Sequence, residues 1–225
     1  MVELNTDLRV AGRTRELDRL SAQLAAANAG REQLSLHDGL TSIANRRAFD
    51  EYLAEQLAVA RRHARSLALV IFDVDHFKEY NDSRGYQEGD ACLRKIAITL
   101  ESCCRRPADM AARYGGEEFV MILPDTNLAG AVKTAETARN AVARLDLTRG
   151  RAAVAAHVTI SGGVAVVGGT SGVTIEQLIS SADHNLFQAK RLGRNRIVSV
   201  STDPDGSDLK TAPMELGDRR PRAAG

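Results

Sequence analysis

The sequence predicts an α+β (α/β) domain of the ferredoxin-like kind, a single sheet with helices packed on one side of it. Three observations predict this. SLALVIFDVD, residues 66 to 75, is a short apolar run rich in branched residues and ending in acids, as a buried central strand should be. MAARY and FVMILP flank the turn sequence GGEE over residues 110 to 124, which reads as a hairpin. Along the chain these fall into the order strand, helix, hairpin, helix, strand, helix, strand.

Each element has its own signal. Residues 13 to 36 carry Leu17, Leu20, Leu24, Ala27 and Leu34 at spacings near three and four, a narrow apolar stripe on a polar helix. That stripe fits a short coiled-coil stalk over residues 1–36, or an amphipathic helix lying on its own domain. In LHDGLTSIANRRAF, Asp38 or Thr41 is placed to cap a helix carrying Phe49, Leu53 and Leu57. Leu93, Ile96, Ala97 and Leu100 give residues 90 to 104 helical spacing. TNLAGAVKTAETARNAVARL is a helix. HVTISGGVAVV is a strand whose Gly-Gly implies a bulge or a close backbone approach. TIEQLISSADHNLFQAKRLG is a helix stopped by Gly193, and RIVSV is the last strand. Residues 201–225 are polar and rich in Pro and Gly, the composition of a disordered tail. The main domain is expected over residues 37–200.

Composition narrows the function. Hydrophobic residues make up 44% and aromatics only 4%, with no Trp, so the core is aliphatic. Thirty basic against 29 acidic residues leave a net charge of +1, which provides no global field for nucleic acid or a membrane surface. Cys92, Cys103 and Cys104 form neither a disulfide framework nor a zinc spacing, as expected of reduced thiols in the cytoplasm. No signal peptide or membrane-length apolar run is visible, so no direct membrane insertion is expected.

The chemistry concentrates in two acidic stretches. In FDVDHFK, Asp73 and Asp75 alternate on a strand and are expected to share a face at its end. Gly115 and Gly116 permit a tight turn, after which Glu117 and Glu118 point to opposite sides. Carboxylates converging from a strand end and a hairpin suit Mg²⁺, which takes one or two of them and completes its shell with water and phosphate oxygens. Two directions allow two roles, metal ligand and proton acceptor, and spacing does not decide which glutamate has which.

Six segments in order, DGLTSIANRRAF, FDVDHFKEYND, GYQEGD, RPADMAARYGGEEF, TISGGVA and AKRLGRNR, span residues 38 to 196 and resemble the GGDEF-domain diguanylate cyclases in their GGEEF variant. The resemblance implies a palm-type fold with a mostly antiparallel central sheet flanked by helices. It implies condensation of two GTP into cyclic di-GMP and two pyrophosphates across a homodimer. It further implies that Asp73, the Val74 carbonyl and Glu117 hold Mg²⁺ (or Mn²⁺), two ions per GTP, with Glu118 the base for the 3′-OH. By the same resemblance Asn81 and Asp90 read guanine, and the backbone near Phe77 and Lys78, with Lys190 and Arg194, holds the triphosphate. Arg106 and Asp109 form the RxxD of an inhibitory site for cyclic di-GMP. An upstream sensor partner is compatible with the family, as is an inactive cyclic di-GMP receptor. The pattern departs from the family at Tyr86, where a His is usual, at DGLTSIANRR, which lacks the usual Gly and Pro, and at Gly162, where a loosened strand is expected.

Overall fold

The computed structural model describes residues 36–145, 147 and 157–199, so the stalk (except Leu36) and the tail lie outside the described residues. β1 (Leu67–Val74) is buried almost throughout and sits at the centre of a five-stranded sheet of order β2-β3-β1-β4-β5. Its neighbours β3 (Glu118–Pro124) and β4 (Ile160–Val167) are both antiparallel to it. β2 (Met110–Gly115) completes the hairpin with β3, and β5 (Ile197–Ser199) joins β4 in parallel. The sheet is thus mostly antiparallel, and strands four, one, three and two stand in the ferredoxin-like order with β5 added at the edge.

Helices cover both faces, not one. α2 (Phe77–Arg84), α3 (Tyr86–Cys103) and α4 (Leu128–Ala143) accompany the core that holds Val70, Phe72, Phe119 and Met121 against Leu93, Ile96, Leu100 and the alanines of α4. α1 (Arg46–His63) and α5 (Ile175–Arg191) supply Phe49, Leu53, Leu178 and Leu186 to the other face, against Leu69, Ile71, Val120 and Ile122. A strand apolar on alternate and intervening positions alike requires this second layer, since either bare face would expose aliphatic surface to water.

Local chemistry explains the boundaries. α1 is capped by Asn45, whose Oδ1 accepts from the Ala48 amide at 3.0 Å. Asp38 and Thr41 do not cap it. Asp38 Oδ1 instead accepts from the Thr41 amide at 2.8 Å and the Thr41 hydroxyl at 2.6 Å, closing a turn ahead of the helix. α5 begins in a capping box of Thr174 and Gln177. Asn185, buried on α5, donates to the Val164 carbonyl of β4 at 2.8 Å. The Gly-Gly of β4 is a close approach, because β1 and β4 pair without a register shift. A Cβ on Gly163 would overlap the backbone of α5 at Ala182 and Leu186. Gly162 leaves no slack either: a Cβ there would stand 2.7 Å from Ile197 Cδ1 and 2.9 Å from Phe72 Cδ1.

Candidate active site

The GGEE turn and the end of β1 are held together by sheet pairing. Asp73 stands opposite Glu118 as the last pair between β1 and β3, and the Val74 amide donates to the Glu117 carbonyl at 3.3 Å. Opposed residues have Cα atoms about 4.5–5.5 Å apart and side chains on one face, so the two carboxyls are neighbours. Gly116 has φ 54°, a left-handed conformation that glycine adopts without penalty, and it lets the chain reverse before Glu117.

Arg113 braces this turn. Its Nε and Nη2 donate to the Gly116 carbonyl at 2.9 and 2.7 Å, while Nη1 donates to Asp38 at 3.1 Å. Burial raises Asp38's pKa, but hydrogen bonds from Thr41 and Arg113 prevail and hold it below the ordinary value. Neither residue was singled out from the sequence as a brace; the one signal was an arginine one residue short of the glycines, in an otherwise mostly apolar strand.

The carboxyls crowd each other. Burial, and then the charges of Glu117 and Asp75, push the Asp73 pKa up, opposed by Lys190. Glu118 is raised by burial first and by Asp73 next, again opposed by Lys190. Lys190, in the last turn of α5, places Nζ 2.8 Å from Asp73 Oδ2. Among the described residues no group of three or more His, Cys, Asp or Glu is preassembled as a metal cage. That donor set fits Mg²⁺, which uses one or two carboxylates and leaves its other positions to water and substrate.

Asp75 does not share the face of Asp73. β1 ends at Val74, and Asp75 turns inward, 1% exposed, accepting from the Thr159 and Ser161 hydroxyls at 2.7 Å each and from the Asn195 amide at 3.0 Å. The alternation that suggested two outward acids fails because the strand stops one residue sooner than the reading required.

The remaining candidates surround the carboxyls. His76, at φ 57°, turns the chain from β1 into α2, so the amides of Phe77 and Lys78 lie in a first helical turn without intrahelical acceptors. The Phe77 ring is buried against Tyr80, so only its backbone is available, whereas Lys78 is exposed. Lys190 and Arg194 do not share a helix face: α5 ends at Arg191, Gly193 has φ 109°, and Arg194 is exposed in a loop.

Asn81 lies within α2 and Asp90 within α3. The break at Gly85 folds one helix against the other, and Asn81 Oδ1 lies where a Cβ of Gly89 would be. Asn81 is thereby adjacent to the residue preceding Asp90. Its Oδ1 is buried and lacks a protein partner. An orphaned acceptor of this kind normally answers to water or ligand. Tyr86, 80% exposed, opens α3.

The RxxD is remote from the turn, at the opposite end of β2, a strand of six residues and about 17 Å. Arg106 Nη2 donates to Asp109 Oδ1 at 2.7 Å and to the Thr126 hydroxyl. The Asp109 side chain is only 5% exposed and Arg106 46%, so the arginine faces out and the acid orients it. Open grooves of about 350 and 570 Å³ lie on either side of Arg106.

Comparison with known proteins agrees with this geometry. Residues 35–196 match the family model "Diguanylate cyclase, GGDEF domain". The chain is 37% identical over 197 residues to diguanylate cyclase VdcA of Vibrio cholerae, covering 88% of this chain and 55% of that one. It is 39% identical over 166 residues to the response regulator PleD of Caulobacter vibrioides, covering 74% and 36%. The chain thus spans about half of one relative and a third of the other. The crystal structure of the coiled coil and GGDEF domain of DgcB from Caulobacter crescentus, in complex with c-di-GMP, superposes with TM-score 0.66 at 33% identity, covering 86% of this chain and 98% of that one. With the carboxylate turn, the brace and the lysine in place on this fold, the chain belongs to the diguanylate cyclase GGDEF domain family.

Proposed function

We propose that this chain condenses two GTP molecules into cyclic di-GMP with release of two pyrophosphates, at a site completed by a second copy of the chain. The observation that carries the reading is the opposition of Asp73 and Glu118 beside Lys190. Asp73, Glu117 and the Val74 carbonyl hold Mg²⁺ (or Mn²⁺), two per GTP, which supplies neutralisation of phosphate charge. Glu118, raised by burial and by Asp73, accepts the proton of the 3′-OH, whose oxygen then attacks the α-phosphorus of the GTP on the partner subunit. Lys190, Arg194 and the amides of Phe77 and Lys78 bind the triphosphate. Asn81 and Asp90 read the guanine edge, where a carboxylate accepts from N1–H and the exocyclic amine together.

At the RxxD, Arg106 presents its guanidinium to product while Asp109 fixes its orientation. The similar structure that holds c-di-GMP supports a product-binding surface in this chain as well. We assign residues 1–36 to a dimerising stalk, 37–200 to the cyclase domain and 201–225 to a tail. Among the described residues no helix is long and apolar enough to cross a membrane. The cysteines are free, and burial pushes the thiols of Cys92 and Cys104 up to about 11 and about 12, in keeping with unreactive thiols in a cytoplasmic protein.

The test is incubation of the purified chain with GTP and Mg²⁺, with pyrophosphate and cyclic di-GMP measured. Glu118→Gln should bind GTP and release no pyrophosphate. Binding of cyclic di-GMP by the unaltered chain without any turnover would instead make it a receptor.

A further inference from the structure

Three consecutive residues after α5 lie at positive φ: Gly193 at 109°, Arg194 at 61° and Asn195 at 47°. Only the first is a glycine. Side chains in that region are strained, and such conformations persist where the surroundings hold them. The loop's own ties are the Arg194 amide to the Ala189 carbonyl at 3.0 Å and Arg196 Nε to the Arg194 carbonyl at 3.1 Å. The Gly162 amide ties it to β4 through the Arg196 carbonyl at 2.9 Å, and Arg139 Nη1 donates to Asn195 Oδ1 at 2.7 Å.

A further tie is to Asp75. Its Oδ2 accepts from the Asn195 amide and from the Thr159 hydroxyl, its Oδ1 accepts from the buried Ser161 hydroxyl, and its own amide donates to the Thr159 carbonyl at 2.9 Å. A buried carboxylate is costly unless its oxygens are satisfied, and here three donors converge on it, from β4, from the residue just before β4 and from the loop. Next along the chain stands His76, whose left-handed turn starts α2 and its amides.

We propose that Asp75 is a positioning residue for the triphosphate: it fixes the Arg194 loop relative to the first turn of α2, so that the two sides of the phosphate site stand at a set separation. This rests on the proposed role of Arg194. Asp75 touches no substrate. Asparagine at this position can still accept from one side, but it turns an amide N–H₂ toward the other, and the Asn195 amide and Thr159 hydroxyl compete for a weaker acceptor. The loop then spends time away from the phosphate site, which weakens GTP binding and leaves chemistry at Glu118 untouched once GTP is bound.

The experiment is a double-mutant cycle on the full chain, reading KM and kcat for GTP and, by calorimetry, binding of guanosine 5′-(α,β-methylene)triphosphate. Asp75→Asn should raise KM and the analogue's Kd about tenfold while kcat stays within about twofold. In an Arg194→Ala background, the same change should add less than about twofold. Equal effects in both backgrounds, or a fall in kcat with KM unchanged, would overturn the proposal. If Asp75→Asn does not fold, Thr159→Val carries the test. It removes one hydrogen bond to the same oxygen, and its expected rise in KM of about threefold must vanish in the Arg194→Ala background. An unchanged KM in Thr159→Val would overturn the proposal. Arg194→Ala alone leaving KM unchanged would remove Arg194 from the triphosphate site and the proposal with it. Failure of the cycle while Arg194→Ala still weakens GTP would remove Asp75 alone.

Discussion

At Asp73 and Glu118 two carboxyls face each other across adjacent strands, both harder to ionise than a free acid because burial acts first and neighbouring carboxylates add to it, Glu117 and Asp75 on Asp73, and Asp73 on Glu118. Lys190 is the cation that opposes this in both. An acid whose folded pKa is raised contributes stability that is present below its ordinary value, 3.8 for Asp73, and lost as pH rises through the folded pKa. Removing Lys190 moves that folded pKa further up. Lys190→Met is therefore expected to cost about 1 kcal/mol at pH 7, the size of a partly exposed ion pair. That deficit should close on acidification toward about pH 4. Thermal melts of both proteins from pH 4 to 8 check this, and a deficit independent of pH would mean that Lys190 acts through its alkyl stem. At the RxxD the arithmetic differs, because Asp109 is buried and Arg106 is half out. Arg106→Ala should relieve inhibition by added cyclic di-GMP while leaving turnover without added product within about twofold, the guanidinium lying a whole strand from the turn. An unmoved inhibition curve would reduce the motif to a surface pair.

The strength of an element's signal in the sequence tracks how local its cause is. The central strand, the hairpin and the stop at Gly193 depend on neighbours in the chain, and all were legible, although the strands run on into GGEE and leave only Gly116 and Glu117 in the turn. Asp38 was misread because capping and turn closure use the same side-chain oxygen, and the sequence did not show that the helix starts only after Asn45, leaving Asp38 to close a turn and to bind Arg113, 75 residues away. Asp75 was misread because one residue of strand length decides whether an acid faces solvent or core. Helices on both faces were missed because element order says nothing of which face a flanking helix takes. The Gly-Gly of β4 lies between these cases: sequence offered a bulge or a close approach, and only the packing of α5 selects the second. A methyl on Gly163 meets backbone, which cannot rotate away, so Gly163→Ala is expected to lower stability by about 1–3 kcal/mol. Gly168→Ala, with nothing within 4 Å of the added carbon, serves as the control and should fall within about 0.5 kcal/mol of the parent. Denaturant unfolding of both measures the difference; equal midpoints would show that α5 shifts outward at little cost.

For the whole molecule, the site as proposed is half a site. The turn, Lys190 and the guanine pair can hold one GTP, and the attacking hydroxyl must come from another copy of the chain. Turnover should accordingly depend on protein concentration, as the chain passes from monomer to the antiparallel pair that apposes two turns. The stalk proposed for residues 1–36 enters here, because a helix carrying the apolar stripe of Leu17, Leu20, Leu24 and Ala27 would be marginal alone and would gain from a partner. Those residues run directly into Asp38, which holds Arg113, which holds the Gly116 carbonyl. A stalk of the proposed kind would act on the turn by two routes, by raising the effective concentration of the second domain and by fixing the segment that braces Glu117. Deleting residues 1–36 should move the half-maximal protein concentration for activity up by at least about tenfold and lower the light-scattering mass at micromolar concentration. Restoring dimerisation with an unrelated coiled coil separates the two routes. Recovery of turnover per dimer to the parent value would assign the stalk to concentration alone, whereas a lower plateau would assign a share to the brace. Identical mass and identical concentration dependence with and without residues 1–36 would take the stalk out of dimerisation altogether.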